Sequence, residues 1–208
     1  MSNFKIFHKG INDTITEFQR NPFNFLYEID IQAFLFASIY KELRGESLQL
    51  KGGYHPQTAY PDHNSISTVP IKCEYPSSKK FDIAIIDDER LKHFDRQKAI
   101  QEEPLNDFFW NQPVIAAIEI KYLQLGDSVS KKIKGLKDDA EKLSNHREKN
   151  RPFLGIALLF VQSKQFVQSI LDIFKEKCPV FSDENLPEDG VFSYIVTPQQ
   201  TRLCIHEQ

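Results

Sequence analysis

Apolar residues recur at helical spacing in the first quarter of the chain and predict a long amphipathic helix there. Asn21 and Pro22 have the pattern of a helix cap followed by proline at the first helical position, and Gly45 is a typical stop after about Arg44. A capping-box pattern at Thr14–Glu17 predicts a shorter helix just before it. The apolar positions that repeat along the long helix are Leu26, Ile29, Ala33, Phe36 and Tyr40.

Shorter apolar runs in the rest of the chain predict six strands, with helices between the later ones. A cap at Asp127 or Ser128 precedes an amphipathic stripe that predicts one helix, and Gln165–Glu176 predicts another. The resulting order predicts an α/β fold with a mixed central sheet flanked by helices. We expect a single domain over residues 1–208, with about 87–113 as a candidate insertion. The predicted strands lie around Val69–Cys73 and at Phe81–Ile86, Val114–Tyr122, Phe153–Val161, Phe192–Thr197 and Arg202–His206, and the first stripe comprises Ile133, Leu136, Ala140 and Leu143.

Composition narrows the classes of protein that this chain can be. Its 208 residues are 40% hydrophobic and 26% charged, with a formal net charge of −3, which excludes disordered and collagen-like chains. No apolar run approaches the roughly 18 residues of a membrane span, and the N-terminus lacks the apolar core of a signal peptide. We therefore expect a cytoplasmic protein with no membrane partner. Three cysteines without a CxxC pair disfavour a disulfide framework and a zinc site.

Positive charge is concentrated between residues 131 and 151, where eight basic residues stand against four acidic ones. This segment has a net charge of +4, which leaves −7 for the rest of the chain. A protein that coats nucleic acid is usually basic throughout, so this one could hold a polyanion only through a local strip. The first lysines of the strip, Lys131, Lys132 and Lys134, fit a solvated helix face equally well.

Charged residues interrupt two of the most apolar predicted strands. Val114–Tyr122 has the continuous apolar pattern of a central strand covered on both faces, yet it contains Glu119 and Lys121. Because strand side chains alternate, these two residues share one face, and the isoleucines on either side of Glu119 share the other. A buried charge without compensation costs several kcal/mol, so each needs a partner charge, a water-filled cleft or a metal. Asp82, in the strand Phe81–Ile86, has the same requirement.

Asp82, followed 37 residues later by Glu119-Ile120-Lys121, resembles the signature of the PD-(D/E)xK nuclease superfamily, the fold of many restriction enzymes. In that family a helix with a glutamate precedes the strands that bear the aspartate and the ExK motif, and a helix and a strand follow. The predicted order of elements agrees over about two thirds of the chain, and Glu28 matches the helix glutamate. Two stretches are also similar to family sequences: Cys73–Pro76 before the aspartate, and Asp139–Leu143 in the helix after ExK. The resemblance implies a restriction-endonuclease-like fold.

The resemblance also implies a metal-dependent endonuclease that acts on DNA. Asp82 and Glu119 would be oxygen ligands of Mg²⁺ or Mn²⁺, with the carbonyl of Ile120 as a further ligand. The metal would polarise the phosphoryl group and acidify a bound water. Lys121 would either deprotonate that water or stay cationic and stabilise the developing charge, and Glu28 would hold a metal-bound water or a second ion. The lysines of the strip would contact backbone phosphates, and cleavage of both strands would favour a homodimer.

Each of these residues also fits a purely structural role. Glu119 and Lys121 fit a same-face salt bridge at a sheet edge, and Asp82 fits a turn cap after Lys79 and Lys80. Two further alternatives concern the whole chain. It could be a catalytically silent nucleic-acid-binding or regulatory protein with a nuclease-like fold, or a salt-bridged sheet in which Asp82 and Glu119 lie far apart. On the first helix, Asp30 competes with Glu28 for the catalytic role, and Gln32 fits a structural role.

Overall fold

The structure, a computed structural model, describes residues 3–49, 71–76, 80–87, 113–174 and 189–206. The helices in these ranges are α1 (Asn3–Arg20), a short 3₁₀ helix (Pro22–Asn24), α2 (Glu28–Gln49), α3 (Val129–Arg147) and α4 (Lys164–Phe174). The strands are β1 (Ile71–Tyr75), β2 (Phe81–Ile86), β3 (Val114–Leu123), β4 (Leu154–Val161), β5 (Gly190–Val196) and β6 (Thr201–Ile205).

The six strands form one mixed sheet in which each strand lies beside its neighbours in sequence. The first three strands pair antiparallel, β3 and β4 pair parallel to each other, and so do β4 and β5. β6 then returns antiparallel to β5. A parallel pair needs a crossover connection, and α3 lies between β3 and β4 in the chain, packed on the sheet. The prediction of a mixed α/β sheet flanked by helices is therefore confirmed.

Side-chain alternation divides the core into two layers, one on each face of the sheet. In β3, Ile118, Ile120 and Tyr122 belong to the layer that also contains the buried residues of α1 and α2. Ala117 and Leu123 belong to the opposite layer, which contains the buried residues of α3 and α4. Because both faces of β3 are covered in this way, its side chains are almost all buried.

The same alternation places three charged residues of the sheet on one face. Glu119 and Lys121 alternate with the isoleucine layer of β3 and so share one face, as the sequence predicted; that face is the one covered by α3. In β2, Ile83 and Ile85 belong to the α1–α2 layer, so Asp82 also lies on the α3 face. β2 and β3 are adjacent, which excludes the arrangement in which Asp82 and Glu119 lie far apart.

The two N-terminal helices begin at other residues than those predicted. α1 starts well before the Thr14–Glu17 pattern, because Phe7 and Ile11 extend its buried face towards the N-terminus. Thr14 lies within the helix, and its hydroxyl donates to the carbonyl of Gly10 instead of capping. Pro22 begins the short 3₁₀ helix rather than the long helix, and α2 begins at Glu28 and runs past the predicted end at Arg44.

The buried face of α2 also differs from the prediction. Leu26, just before the helix, and Ile29 are 59% and 61% exposed, whereas the buried positions are Ile31, Leu35 and Ile39. Both sets repeat at helical spacing, so periodicity alone does not distinguish them. The packing of α1 selects the second set, since Gly10 lies so close to Ile39 that an added Cβ would collide with it.

The later elements agree with the prediction to within a few residues. Ser128 caps α3 by accepting a hydrogen bond from the backbone N–H of Lys131, and the predicted apolar stripe of that helix is buried. Among the cysteines of the described ranges, Cys73 is exposed and free, and Cys204 is disulfide-bonded. In the described ranges no helix is long and apolar enough to cross a membrane. The candidate insertion falls mostly on residues 88–112, outside the described residues, so the single-domain prediction stays a prediction.

Candidate active site

The candidate site is built on an edge of β3 that β2 does not cover. The regular pairing of the two strands ends at Ile83 opposite Ile118, while β3 continues to Leu123. The backbone N–H of Ile120 donates to Oδ2 of Asp82 at 2.6 Å, in place of a strand partner. Two residues further on, the N–H of Tyr122 donates to Oε2 of Glu28 at 3.1 Å. Carboxylates from β2 and α2 therefore satisfy two successive N–H groups of this edge.

The start of α2 lies against this edge through contacts of its own. Gln32, one turn after Glu28, donates from Nε2 to the backbone carbonyl of Asp82 at 2.7 Å. The hydroxyl of Tyr122 donates to the carbonyl of Phe25 at 2.6 Å, which ties the turn before α2 to the same strand. These bonds hold β2, β3 and α2 together, so Gln32 has the structural role that its sequence position suggested.

Asp30 lies outside the site. Its Oδ2 accepts hydrogen bonds from the backbone N–H groups of Leu26 and Tyr27, at 2.8 and 2.9 Å. The carboxylate therefore stabilises the turn that leads into α2, and of the two acidic residues in this turn of helix only Glu28 reaches β3.

Glu119 is paired with a lysine of α3 rather than with Lys121. Its side chain is only 4% exposed, and the ammonium of Lys142 lies 2.5 Å from Oε1. The same ammonium donates to the carbonyl of Lys80 and lies 4.8 Å from the ring centre of Phe81. The alternative in which Glu119 and Lys121 form a salt bridge with each other is wrong, because each is paired with a residue of α3.

The partner of Lys121 is Asp139, whose Oδ2 lies 2.8 Å from Nζ. Nζ also donates to the carbonyl of Ile120 at 3.1 Å, so the ammonium sits beside the edge of β3. Gly135, one turn before Asp139, leaves room for the lysine stem, since an added Cβ would lie 3.2 Å from Cε of Lys121. The helix therefore both admits the side chain and fixes its charged end.

Burial changes the protonation of the two strand carboxylates. It raises the pKa of Asp82, the hydrogen bond from Ile120 and the charge of Lys121 oppose this, and Glu28 and Glu74 add to it. Burial likewise raises the pKa of Glu119 to about 7, although Lys142 pulls in the other direction. Negative charges therefore lie close together around two largely buried carboxyls, which is typical of a functional cluster.

Lys121 remains protonated in this environment. Burial alone lowers the pKa of its ammonium, but the hydrogen bond to Asp139 and the negative charges of Asp139, Glu28 and Asp82 raise it by more. The net effect is a pKa above the ordinary value of lysine, so the group is a fixed positive charge beside the carboxylates.

The lysines at the start of α3 form two groups. Lys132 lies 3.8 Å from Glu28 and 3.8 Å from Asp127, so its charge is directed towards the site. Lys131 and Lys134 are exposed on the same helix. Further along the strip, Arg147 pairs with Asp189 at 2.8 Å. Several charges of the basic segment are thus neutralised inside the fold, and its outward positive charge is smaller than the sequence indicated.

A groove of about 660 Å³ lies elsewhere, on the side of α3 near α4. None of the residues at the β3 edge lines it; it is bordered by Ser128, Val129, Ser130, Ile133, Lys134, Lys137 and Ile173. The concentration of buried charge at the edge of β3, and not this groove, therefore defines the candidate site. Within the described ranges, no group of three or more His, Cys, Asp or Glu side chains is arranged to hold a metal ion.

Asp139 and Lys142 are the site residues whose roles the sequence did not reveal. Both lie in the Asp139–Leu143 stretch that resembles the family helix, but no partner was assigned to either. With Gly135 they occupy positions i, i+4 and i+7 of α3, which share one face of a helix. The face of α3 directed at β3 can be recognised in the sequence by this spacing of a glycine, an aspartate and a lysine next to the apolar stripe.

Comparison with protein-family models, with curated proteins and with solved structures finds no match.

Proposed function

We propose that this protein is a metal-dependent endonuclease that hydrolyses phosphodiester bonds in DNA, with its centre at Asp82, Glu119 and Lys121. The observation that supports this most directly is the uncovered edge of β3. Beside it two carboxylates and a lysine share one face of adjacent strands, and Glu28 reaches it from α2. An arrangement that only stabilised the sheet would not need so many buried charges, because apolar residues do this at lower cost.

The donor atoms present suit a hard divalent cation. Mg²⁺ commonly binds through one or two carboxylates, several waters and the substrate phosphate. Asp82, Glu119 and the carbonyl of Ile120 supply such a set, and each carboxylate has more lone pairs than its present hydrogen bonds use. Mg²⁺ or Mn²⁺ bound there would polarise the phosphoryl group and acidify a water.

In this proposal Lys121 acts as a cation and not as a base. Its ammonium, held by Asp139, would stabilise the negative charge that develops on the phosphoryl oxygens. Glu28 would orient the water that attacks phosphorus, since its carboxylate already lies at the same edge of β3. Lys131, Lys132 and Lys134 would bind backbone phosphates on the side of the site formed by α3.

We also propose the fold family, the cellular location and the oligomeric state of the protein. The order of α2, β1, β2, β3, α3 and β4 supports the restriction-endonuclease-like fold of the PD-(D/E)xK superfamily. A DNA substrate agrees with a cytoplasmic protein, and cleavage of both strands of a duplex by one site per chain favours a homodimer.

Two substitutions test the proposal. Glu119→Ala and Lys121→Ala should each reduce cleavage of DNA in the presence of Mg²⁺ or Mn²⁺ by about 100-fold or more, because each removes a charge from the reacting centre. EDTA should abolish cleavage by the unaltered protein. A gel assay on plasmid and oligonucleotide DNA measures the rate, and circular dichroism checks folding.

Glu141→Ala is a suitable control, because this glutamate lies on α3 but is exposed. It should cleave like the parent protein. If Glu119→Ala and Lys121→Ala also cleave like the parent, the assignment of the site is wrong.

One observation favours a catalytically silent nucleic-acid-binding or regulatory protein as the second candidate. Glu119 and Lys121 both have internal partners, so their charges are compensated without a metal or a substrate. A silent protein should bind no Mn²⁺ through Asp82, and Asp82→Asn should be neutral or stabilising. Titration of Mn²⁺ into the parent and into Asp82→Asn distinguishes the two candidates.

A further inference from the structure

Lys142, on α3, forms an ion pair with the carboxylate of Glu119, on β3. Its ammonium is the cation closest to the most buried acidic side chain of the described residues. The lysine side chain is also 32% exposed and has a flexible four-carbon stem, so the ammonium can leave at little steric cost. Glu119 lies on a central strand and cannot move in the same way.

The other contacts of Lys142 do not depend on Glu119. The carbonyl of Lys80 accepts from the ammonium, and the face of Phe81 lies beneath it. A carbonyl dipole and a ring quadrupole both attract a cation without having a full charge of their own. A lysine whose ion pair with Glu119 is broken would thus keep two favourable contacts at the start of β2.

A bound metal would affect Lys121 and Lys142 differently, because their acidic partners differ. Lys121 is paired with Asp139, which is not among the proposed metal ligands, so a metal and Lys121 do not compete. Lys142 is paired with a proposed ligand, and a divalent cation bound to Glu119 would repel an ammonium only one hydrogen bond away.

We propose that Lys142 is the internal counter-cation of Glu119, which a divalent metal must displace in order to bind. This inference rests on the proposed function, because it concerns the same metal centre. The lysine neutralises the buried carboxylate when metal is absent, and after displacement it remains at the start of β2, held by the carbonyl of Lys80 and the ring of Phe81. The metal affinity of the protein is accordingly weaker than its ligands alone would provide.

Isothermal titration of MnCl₂ into the EDTA-treated and dialysed full-length protein tests this without an activity measurement. Lys142→Met should bind Mn²⁺ about three- to tenfold more tightly than the parent, since no ion pair has to be broken. Lys137→Met removes an exposed charge from the same helix and should leave the affinity within about twofold. Glu119→Gln should bind far more weakly than either.

The outcomes separate this inference from the nuclease proposal. Equal or weaker binding by folded Lys142→Met overturns the counter-cation role but leaves the nuclease proposal intact. If neither the parent nor Lys142→Met binds Mn²⁺, the metal centre itself is wrong and both fail. Circular dichroism checks folding, and Lys142→Gln replaces Lys142→Met if the latter is unfolded, with the same direction expected.

Discussion

At the scale of single residues, the most informative group is the carboxyl of Glu119. Burial raises the pKa of this glutamate to about 7, so it takes up a proton far more readily than an exposed glutamate does. Its neighbours Lys142, Asp82 and Asp139 change this tendency in opposite directions, and burial dominates. A protein accepts such a cost at positions that serve a purpose other than stability.

The free-energy cost of ionising Glu119 in the folded protein can be measured from the pH dependence of stability. An acid whose pKa rises on folding, here from 4.5 to about 7, binds more protons in the folded state. The free energy of unfolding therefore falls as the pH rises between these values. Glu119→Gln cannot ionise, so in EDTA it should be more stable than the parent at pH 8, by about 3 kcal/mol at most, and the difference should vanish near pH 4. Chemical denaturation at both pH values measures this.

The matched control is Glu141→Gln, which changes an exposed glutamate of α3 and should show no such difference between the two pH values. A Glu119→Gln protein that is less stable than the parent at pH 8 would mean that the ion pair with Lys142 outweighs the cost of burial.

At the scale of elements, α3 determines the position of the Lys121 ammonium. Gly135→Ala should raise the helix propensity of α3 by about 1 kcal/mol, but its Cβ would lie 3.2 Å from Cε of Lys121 and displace the side chain. We expect a thermal stability equal to or above that of the parent and a cleavage rate reduced about three- to tenfold, because small displacements of a reacting group are costly. Melting curves and initial rates measure the two effects.

Asn145→Ala provides the comparison, since this exposed residue lies on α3 away from Lys121. It should raise helix propensity without slowing cleavage. Equal rates for both variants and the parent would show that Gly135 has no bearing on the lysine.

Several elements follow from local pattern, and others do not. β2 has the predicted bounds and β3 is one residue longer than predicted, because a dense apolar run between polar flanks is typical of a strand buried on both faces. The buried face of α2 could not be predicted in this way. The helix has two apolar stripes with the same spacing, and only the packing of α1 determines which of them is buried. The roles of Asp139 and Lys142 depend on how α3 lies across β3, which no local pattern contains.

At the scale of the whole molecule, charge is distributed so that a polyanion meets only a small positive surface. The net charge is −3, and several of the basic residues between 131 and 151 are paired within the fold. The lysines proposed to contact DNA are Lys131, Lys132 and Lys134, of which Lys131 and Lys134 are exposed. Binding to DNA should for this reason be weak and depend only moderately on salt.

The number of phosphate contacts sets how steeply the DNA-binding constant falls with salt concentration. With about three phosphate contacts, the logarithm of the binding constant should fall with the logarithm of salt concentration with a slope of about −2.7. Lys131→Ala/Lys134→Ala should reduce the steepness by about 2 units, because two contacts are lost. Fluorescence anisotropy of labelled duplex DNA in EDTA measures both slopes.

Lys5→Ala, on α1 at the opposite face of the sheet, should leave the slope unchanged. An unchanged slope in the double variant would place the DNA on another surface.

The uncovered edge of β3 also has a bearing on solubility. A strand edge with bare N–H groups is a template onto which a strand of another molecule can add, and proteins usually block such edges. Here the blocking groups are the side chains of Asp82 and Glu28, which accept from Ile120 and Tyr122. Replacing either acid with alanine would unblock the edge as well as alter the site, so self-association through β3 is the specific hazard of those variants.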